Sequence, residues 1–125
     1  MLLRLLFIIL FPLSVRAQVP ELKEVVAKKH SNGKPSVVLY FDSAYGDLVK
    51  EHVYYANGKT AWLGFYKNNL EHGQWEFFWE NGSIKSRETY VKGKEHGTST
   101  SFDQKGKKIK ESYWKNGKLI KEVNL

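Results

Sequence analysis

The side chains able to do chemistry recur at a fixed distance. His72 and His96 lie 24 residues apart, each preceded by a glutamate (Glu71, Glu95) and followed by a glycine (Gly73, Gly97). A histidine beside a carboxylate could act as a general base or as part of a metal site. Such a centre needs unlike groups converging on one point. Equivalent places in a repeat form a ladder instead. His72 and His96 are therefore expected to be locally bonded turn residues, with no metal and no cofactor.

Nucleophilic and acid–base arrangements are equally thin. Thr98, Ser99 and Ser101 fall in a strand-like stretch, without a strand–turn–helix elbow around them. No glycine cluster precedes a helix, as a phosphate loop would require. Glu76 and Glu80 read as solvated strand positions, although they have the makings of a glycosidase-like pair. The chain has no cysteine, which excludes disulfides, thiolate metal sites and cysteine nucleophiles. No enzymatic activity is expected.

The aromatic residues carry more information. Tyr66, Tyr90 and Trp114 recur every 24 residues, as do Tyr54, Phe78 and Phe102. Neighbouring aromatics at such spacing are structural ladders. Others do not recur: Trp62 becomes Ser86, Trp75 becomes Ser99, Phe77 becomes Ser101 and Trp79 becomes Asp103. If Tyr66 opposes Trp75, then Gly64 opposes Phe77 and Trp62 opposes Trp79. Strand alternation then gathers Trp62, Tyr66, Trp75, Phe77 and Trp79 on one face as a candidate partner-binding patch, with Phe77 lying over Gly64. In a two-layer fold these residues would be core; on a single-layer sheet they would mark an interaction site.

The elements that position these side chains follow from the glycines. Turn signals stand at Gly33, Gly46, Gly58, Asn69, Gly82, Gly93, Gly106 and Gly117, and the Asn-Gly pair occurs four times. Asn-Gly tolerates positive φ at both positions, as a type I′ hairpin turn demands. The intervening segments are rich in β-branched and aromatic residues and lack helical periodicity. The expected fold is all-β: an antiparallel meander of about eight or nine strands, made of tandem hairpin repeats in one elongated twisted sheet.

Residues 1–17 are set apart. Arg4 precedes an apolar run from Leu5 to Phe11, Pro12 breaks it, and Val15-Arg16-Ala17 offers a cleavage site. This pattern reads as a secretory signal, too short to span a bilayer and without a lipoprotein cysteine. The expected organisation is a signal peptide over 1–17 and one repeat domain over 18–125, exported to the periplasm or secreted. The net charge of +7 falls to +5 without Arg4 and Arg16. Turn lysines such as Lys59, Lys94, Lys107 and Lys118 are dispersed, so nucleic acid is not an expected partner. Weak, salt-dependent contact with an anionic membrane surface stays open.

The motif Tyr54-Tyr55-Ala56-Asn57-Gly58-Lys59, with Gly64-Phe65-Tyr66-Lys67, His72-Gly73-Gln74-Trp75 and Phe78-Trp79-Glu80-Asn81-Gly82, resembles the MORN-repeat variant family of bacterial proteins. Tyr90-Val91-Lys92-Gly93-Lys94-Glu95-His96-Gly97 and Tyr113-Trp114-Lys115-Asn116-Gly117-Lys118 continue the series, so the likeness covers roughly residues 32–123. The resemblance implies hairpins laid side by side in one sheet. It implies function weakly: relatives are often labelled antitoxins or partner-binding repeat proteins. An export signal departs from a cytosolic antitoxin. The expected function is an exported, non-enzymatic module for protein–protein interaction or scaffolding at the cell envelope. A carbohydrate- or peptidoglycan-binding module, or an antitoxin-like inhibitor of an exported toxin, are the alternatives.

Overall fold

The computed structural model describes residues 21–125, so the signal-like segment lies outside the described residues. Eleven strands form one open antiparallel sheet: β1 Leu22–Lys29, β2 Pro35–Asp42, β3 Leu48–Tyr54, β4 Thr60–Lys67, β5 Leu70–Glu71, β6 Gly73–Phe78, β7 Ile84–Val91, β8 Lys94–Glu95, β9 Gly97–Phe102, β10 Lys108–Lys115 and β11 Lys118–Asn124. The order is that of the chain, β1-β2-β3-β4-β6-β7-β9-β10-β11, with β5 beside β4 and β8 beside β7. The short strands β5 and β8 each continue into the next one across a bulge. The sheet is thus nine ribbons wide, the expected meander. At the usual strand spacing it is about 40 Å across.

The turns are of two types, and of the four Asn-Gly pairs only Asn116-Gly117 takes the expected type I′ form. Asn68-Asn69, Lys92-Gly93 and Asn116-Gly117 have positive φ at both central positions, so these are type I′ turns. Asn69 replaces glycine there with φ 61°. At Asn32-Gly33, Asn57-Gly58 and Asn81-Gly82 only the glycine is left-handed. Each of these is a type I turn closed by a glycine bulge, with Gly33, Gly58 and Gly82 N–H groups donating to His30, Tyr55 and Trp79 carbonyls at 2.9 Å. The asparagine side chain explains the difference. Its Oδ1 accepts the N–H two residues on (Lys34, Lys59, Ser83), which holds the asparagine in a right-handed turn.

Adjacent hairpins are stitched at both ends of the strands. At one end Asn32, Asn57 and Asn81 donate through Nδ2 to the carbonyls of Ala56, Glu80 and Gln104 in the following turn. At the other end the carbonyls of Glu71 and Glu95 accept the N–H of Gly93 (2.9 Å) and Gly117 (2.8 Å). These carbonyls precede His72-Gly73 and His96-Gly97, the bulges whose glycines have φ of 83° and 91°. Each net hydrogen bond contributes about 1 kcal/mol, and together they tie every repeat to the next.

Burial matches a single layer. Val38, Val53, Ala61 and Trp75 are the buried hydrophobic residues, and no large side chain is fully enclosed among the described residues. The outer strands β1 and β11 are exposed along their whole length.

Candidate functional site

The candidate aromatic patch sits on β4 and β6, but in a different register from the one expected. Trp62 opposes Phe77 and Leu63 opposes Glu76, which sets Trp75, not Phe77, across from Gly64. The physical cause is the turn and the bulge together. The tight Asn68-Asn69 turn pairs Tyr66 with Glu71, and His72-Gly73 then adds two residues on the second strand. A shift of two preserves the face, whereas a shift of one would invert it. Trp62, Tyr66, Trp75 and Phe77 therefore still share a side.

Trp75 fills the space left by Gly64 and is only 7% exposed. Its indole N–H donates to the Phe65 carbonyl at 3.1 Å. Tyr66 meets it edge-on at 5.4 Å between centroids, Phe77 stacks at 6.4 Å and Tyr90 tilts against it at 5.8 Å. Trp62 lies 6.5 Å from Phe77 and closes the cluster. The patch thus has a buried centre, Trp75, and a half-exposed rim.

Trp79 lies apart from this cluster. Its indole N–H donates to Phe102 O at 3.2 Å in the next repeat. Tyr55 O–H does the same to Phe78 O (2.7 Å), and His30 Nε2 to Tyr54 O (2.8 Å). His30, Tyr55 and Trp79 are equivalent places in successive repeats. The ring type varies, but each ring carries a polar hydrogen. Trp79 is a repeat position after all, and its signal was its place two residues before the first three Asn-Gly pairs.

Around the patch the electrostatics favour neutral phenols. Tyr66 donates to Glu51 Oε2 at 3.1 Å, and burial together with that carboxylate pushes its pKa up to about 12. Tyr90 donates to Glu88 at 2.9 Å and is raised by burial and then by Glu88. Burial, then Glu88, also raises the Glu95 carboxyl.

The opposite face carries a polar chain: His52 hydrogen-bonds with the Tyr54 hydroxyl at Nδ1 and with Thr60 Oγ1 at Nε2, each at 2.8 Å. As a neutral ring it accepts at one nitrogen and donates at the other. Burial, aided by Lys50, lowers its pKa.

His72 and His96 stand in the bulges, their N–H groups bonded to Phe65 O and Thr89 O. His96 Nδ1 also accepts the Asn116 N–H at 3.3 Å. Among the described residues no three His, Cys, Asp or Glu side chains converge as a metal site would require.

A second feature on the Trp75 face escaped the sequence reading. Ser86 opposes Ser101, at the place where the preceding repeat has Trp62 opposite Phe77. Over this serine pair lies a hollow of 360 Å³ lined by Trp79, Lys85, Ser86, Glu88, Ser101, Phe102, Ile109 and Lys110. The signal was present in the loss of aromatics between repeats.

Stitched hairpins in one open layer define a β-hairpin repeat protein. The chain carries MORN repeats: the MORN repeat variant matches residues 71–92, 95–116 and 108–125. No match is found among curated proteins. Several solved structures share the fold, each with a TM-score of 0.51. A crystal structure of TarM is 18% identical, and covers 82% of this chain and 21% of its own. A mutant of S. aureus TarM in complex with Fondaparinux, alpha-GlcNAc-glycerol and UDP is 20% identical, covering 83% and 20%. The Glycosylation Associate Protein (Gap123) complex from Streptococcus agalactiae is 20% identical, covering 83% and 19%. The chain spans about a fifth of the length of these proteins, and at such identity the likeness is one of fold.

Proposed function

We propose that this chain is a non-enzymatic repeat module that binds a protein partner or scaffolds an assembly at the cell envelope. The carrying observation is the Trp62–Phe77 pair, half-buried beside Trp75 on a sheet face with no second layer over it among the described residues. Half-exposed aromatics around a rigid, buried anchor suit a protein interface. The secretory pattern of residues 1–17 supports export.

The test uses Trp62→Ser with Phe77→Ser, the residues that the next repeat places there. Wild-type and variant chains are crosslinked in cells and recovered from the envelope fraction. A specific protein adduct that the variant loses while its circular dichroism is unchanged is the expected result. Identical adducts from both chains, or none from either, would overturn the reading. Edman sequencing of the mature protein should begin at Gln18.

A further inference from the structure

The hollow over Ser86 and Ser101 has the form of a small polar binding site. Its size comes from the repeat itself: serines replace the bulky pair Trp62 and Phe77. Its walls come from neighbouring repeats. Trp79 is held on one side by its bond to Phe102 O, and Ile109 with Lys110 stands on the other.

A bulge supplies the charge. Phe77 opposes Ser86 but Phe78 opposes Ile84, so Lys85 is the extra residue on β7. Freed from strict alternation, it lines the same hollow as Ser86 and sets its ammonium 4.7 Å from the Trp79 ring centroid. The equivalent extra residues are Ser36, Ala61 and Ile109, so among the described residues only this repeat carries a cation there. No carboxylate pairs with Lys85 among the described residues. Lys110, by contrast, is paired with Glu122 at 3.3 Å.

The far end is an acceptor. Glu88 takes the Ser86 hydroxyl at 3.1 Å and the Tyr90 hydroxyl at 2.9 Å, which leaves lone pairs on both oxygens. Lys85 and Glu88 are three strand residues apart, about 10 Å. The hollow therefore offers an aromatic wall with the Lys85 ammonium against it, unpaired with any carboxylate among the described residues, hydroxyls on its floor and a carboxylate acceptor in Glu88.

We propose that this hollow binds a single saccharide unit bearing an anionic substituent. The ring lies beside Trp79, its hydroxyls donate to Glu88 and exchange hydrogen bonds with Ser86 and Ser101, and the anionic group meets Lys85. A volume of 360 Å³ is at the small end for ligand sites, which suits one sugar rather than a chain. The site is separate from the Trp62–Phe77 pair and does not depend on a protein partner.

The test titrates the full chain with glucuronic acid, glucose and inorganic phosphate, reading the four tryptophan indole N–H signals by NMR. Glucuronic acid should shift the Trp79 signal saturably, with a Kd on the order of millimolar. Glucose and phosphate should each bind at least about fivefold more weakly, a difference of about 1 kcal/mol. Lys85→Gln should bring glucuronic acid down to the affinity of glucose. Ser86→Trp with Ser101→Phe restores the pair of the preceding repeat and should abolish binding, whereas Trp62→Ser should not alter it. Should the double variant fail to fold, Lys85→Gln on its exposed bulge still decides. No saturable shift up to about 50 mM, phosphate matching glucuronic acid, or an unchanged preference in Lys85→Gln would each overturn the proposal.

Discussion

The indole of Trp75 lies against the Cα of Gly64 so closely that a Cβ added there would stand 2.1 Å from the ring. This contact lets a tryptophan be buried on a one-layer sheet. The missing side chain on β4 becomes the floor, and Tyr66, Phe77 and Tyr90 become the walls.

Gly64→Ala should accordingly destabilise the chain by about 1–3 kcal/mol, since the rigid ring must move. Thermal unfolding should show the loss. In a Trp75→Ser background, itself less stable for loss of the buried ring, the same glycine change should cost less, because a serine leaves room for the methyl group. If Gly64→Ala cost as much in that background as in the wild type, the close contact would not be the cause.

Asn57 makes two bonds at once, to Lys59 N (2.9 Å) and to Glu80 O (3.1 Å). Asn57→Ala should cost about 1–2 kcal/mol in urea unfolding, somewhat less than two full bonds because the site is exposed. Asn57→Asp keeps the acceptor and loses the donor, so its cost should fall between. Faster amide exchange should appear at Lys59 in the alanine variant and not in the aspartate variant.

The lowered pKa of His52 makes stability depend on pH. The folded protein binds this proton less readily than the unfolded chain. The contribution of His52 is therefore present above its ordinary value of about 6.5 and is lost as pH falls through the folded value. Denaturant midpoints measured from pH 8 to pH 5 should decline in the wild type, and less steeply in His52→Gln. Parallel profiles would show that His52 is not the cause.

Tyr66 has the opposite sign. Its folded pKa of about 12 lies above the ordinary 10.0, so the neutral phenol stabilises the fold below that ordinary value. That contribution is lost as pH rises through about 12. Absorbance at the phenolate band should show late steps, of which Tyr66→Phe removes one while that of the raised Tyr90 remains. Glu51→Gln should move the Tyr66 step to lower pH, since one of the groups disfavouring the phenolate is gone.

The meander was legible because its signals are local. Asn-Gly and lone glycines mark turns, β-branched and aromatic runs mark strands, and a period of 24 residues aligns the copies. Turn type was half legible. Asparagine at both positions of Asn68-Asn69 signals a type I′ turn, but Asn57-Gly58 looks the same as Asn116-Gly117 until the Asn57 side chain is seen bonded to Lys59 N.

The patch residues show the same division. Alternation alone put Trp62, Tyr66, Trp75 and Phe77 on one side, because any even shift of register conserves the face. Which of them meets Gly64 could not be read. That depends on the two residues absorbed at His72-Gly73, a bulge whose purpose is to turn the Glu71 carbonyl toward Gly93 of the next hairpin. Trp79 likewise looked free of the repeat because its equivalents are His30 and Tyr55, which share a polar hydrogen rather than a residue type.

The sequence by itself thus determined the repeat, its strands and the shared side of Trp62, Tyr66, Trp75 and Phe77, since these follow from neighbours a few residues apart. Only the tertiary structure decided that Trp75 is buried, that Trp79 bridges repeats and that Ser86 and Ser101 line an open hollow with Lys85. Those outcomes depend on hydrogen bonds and contacts between hairpins about 24 residues apart, where bulges reset the register that local pattern leaves open.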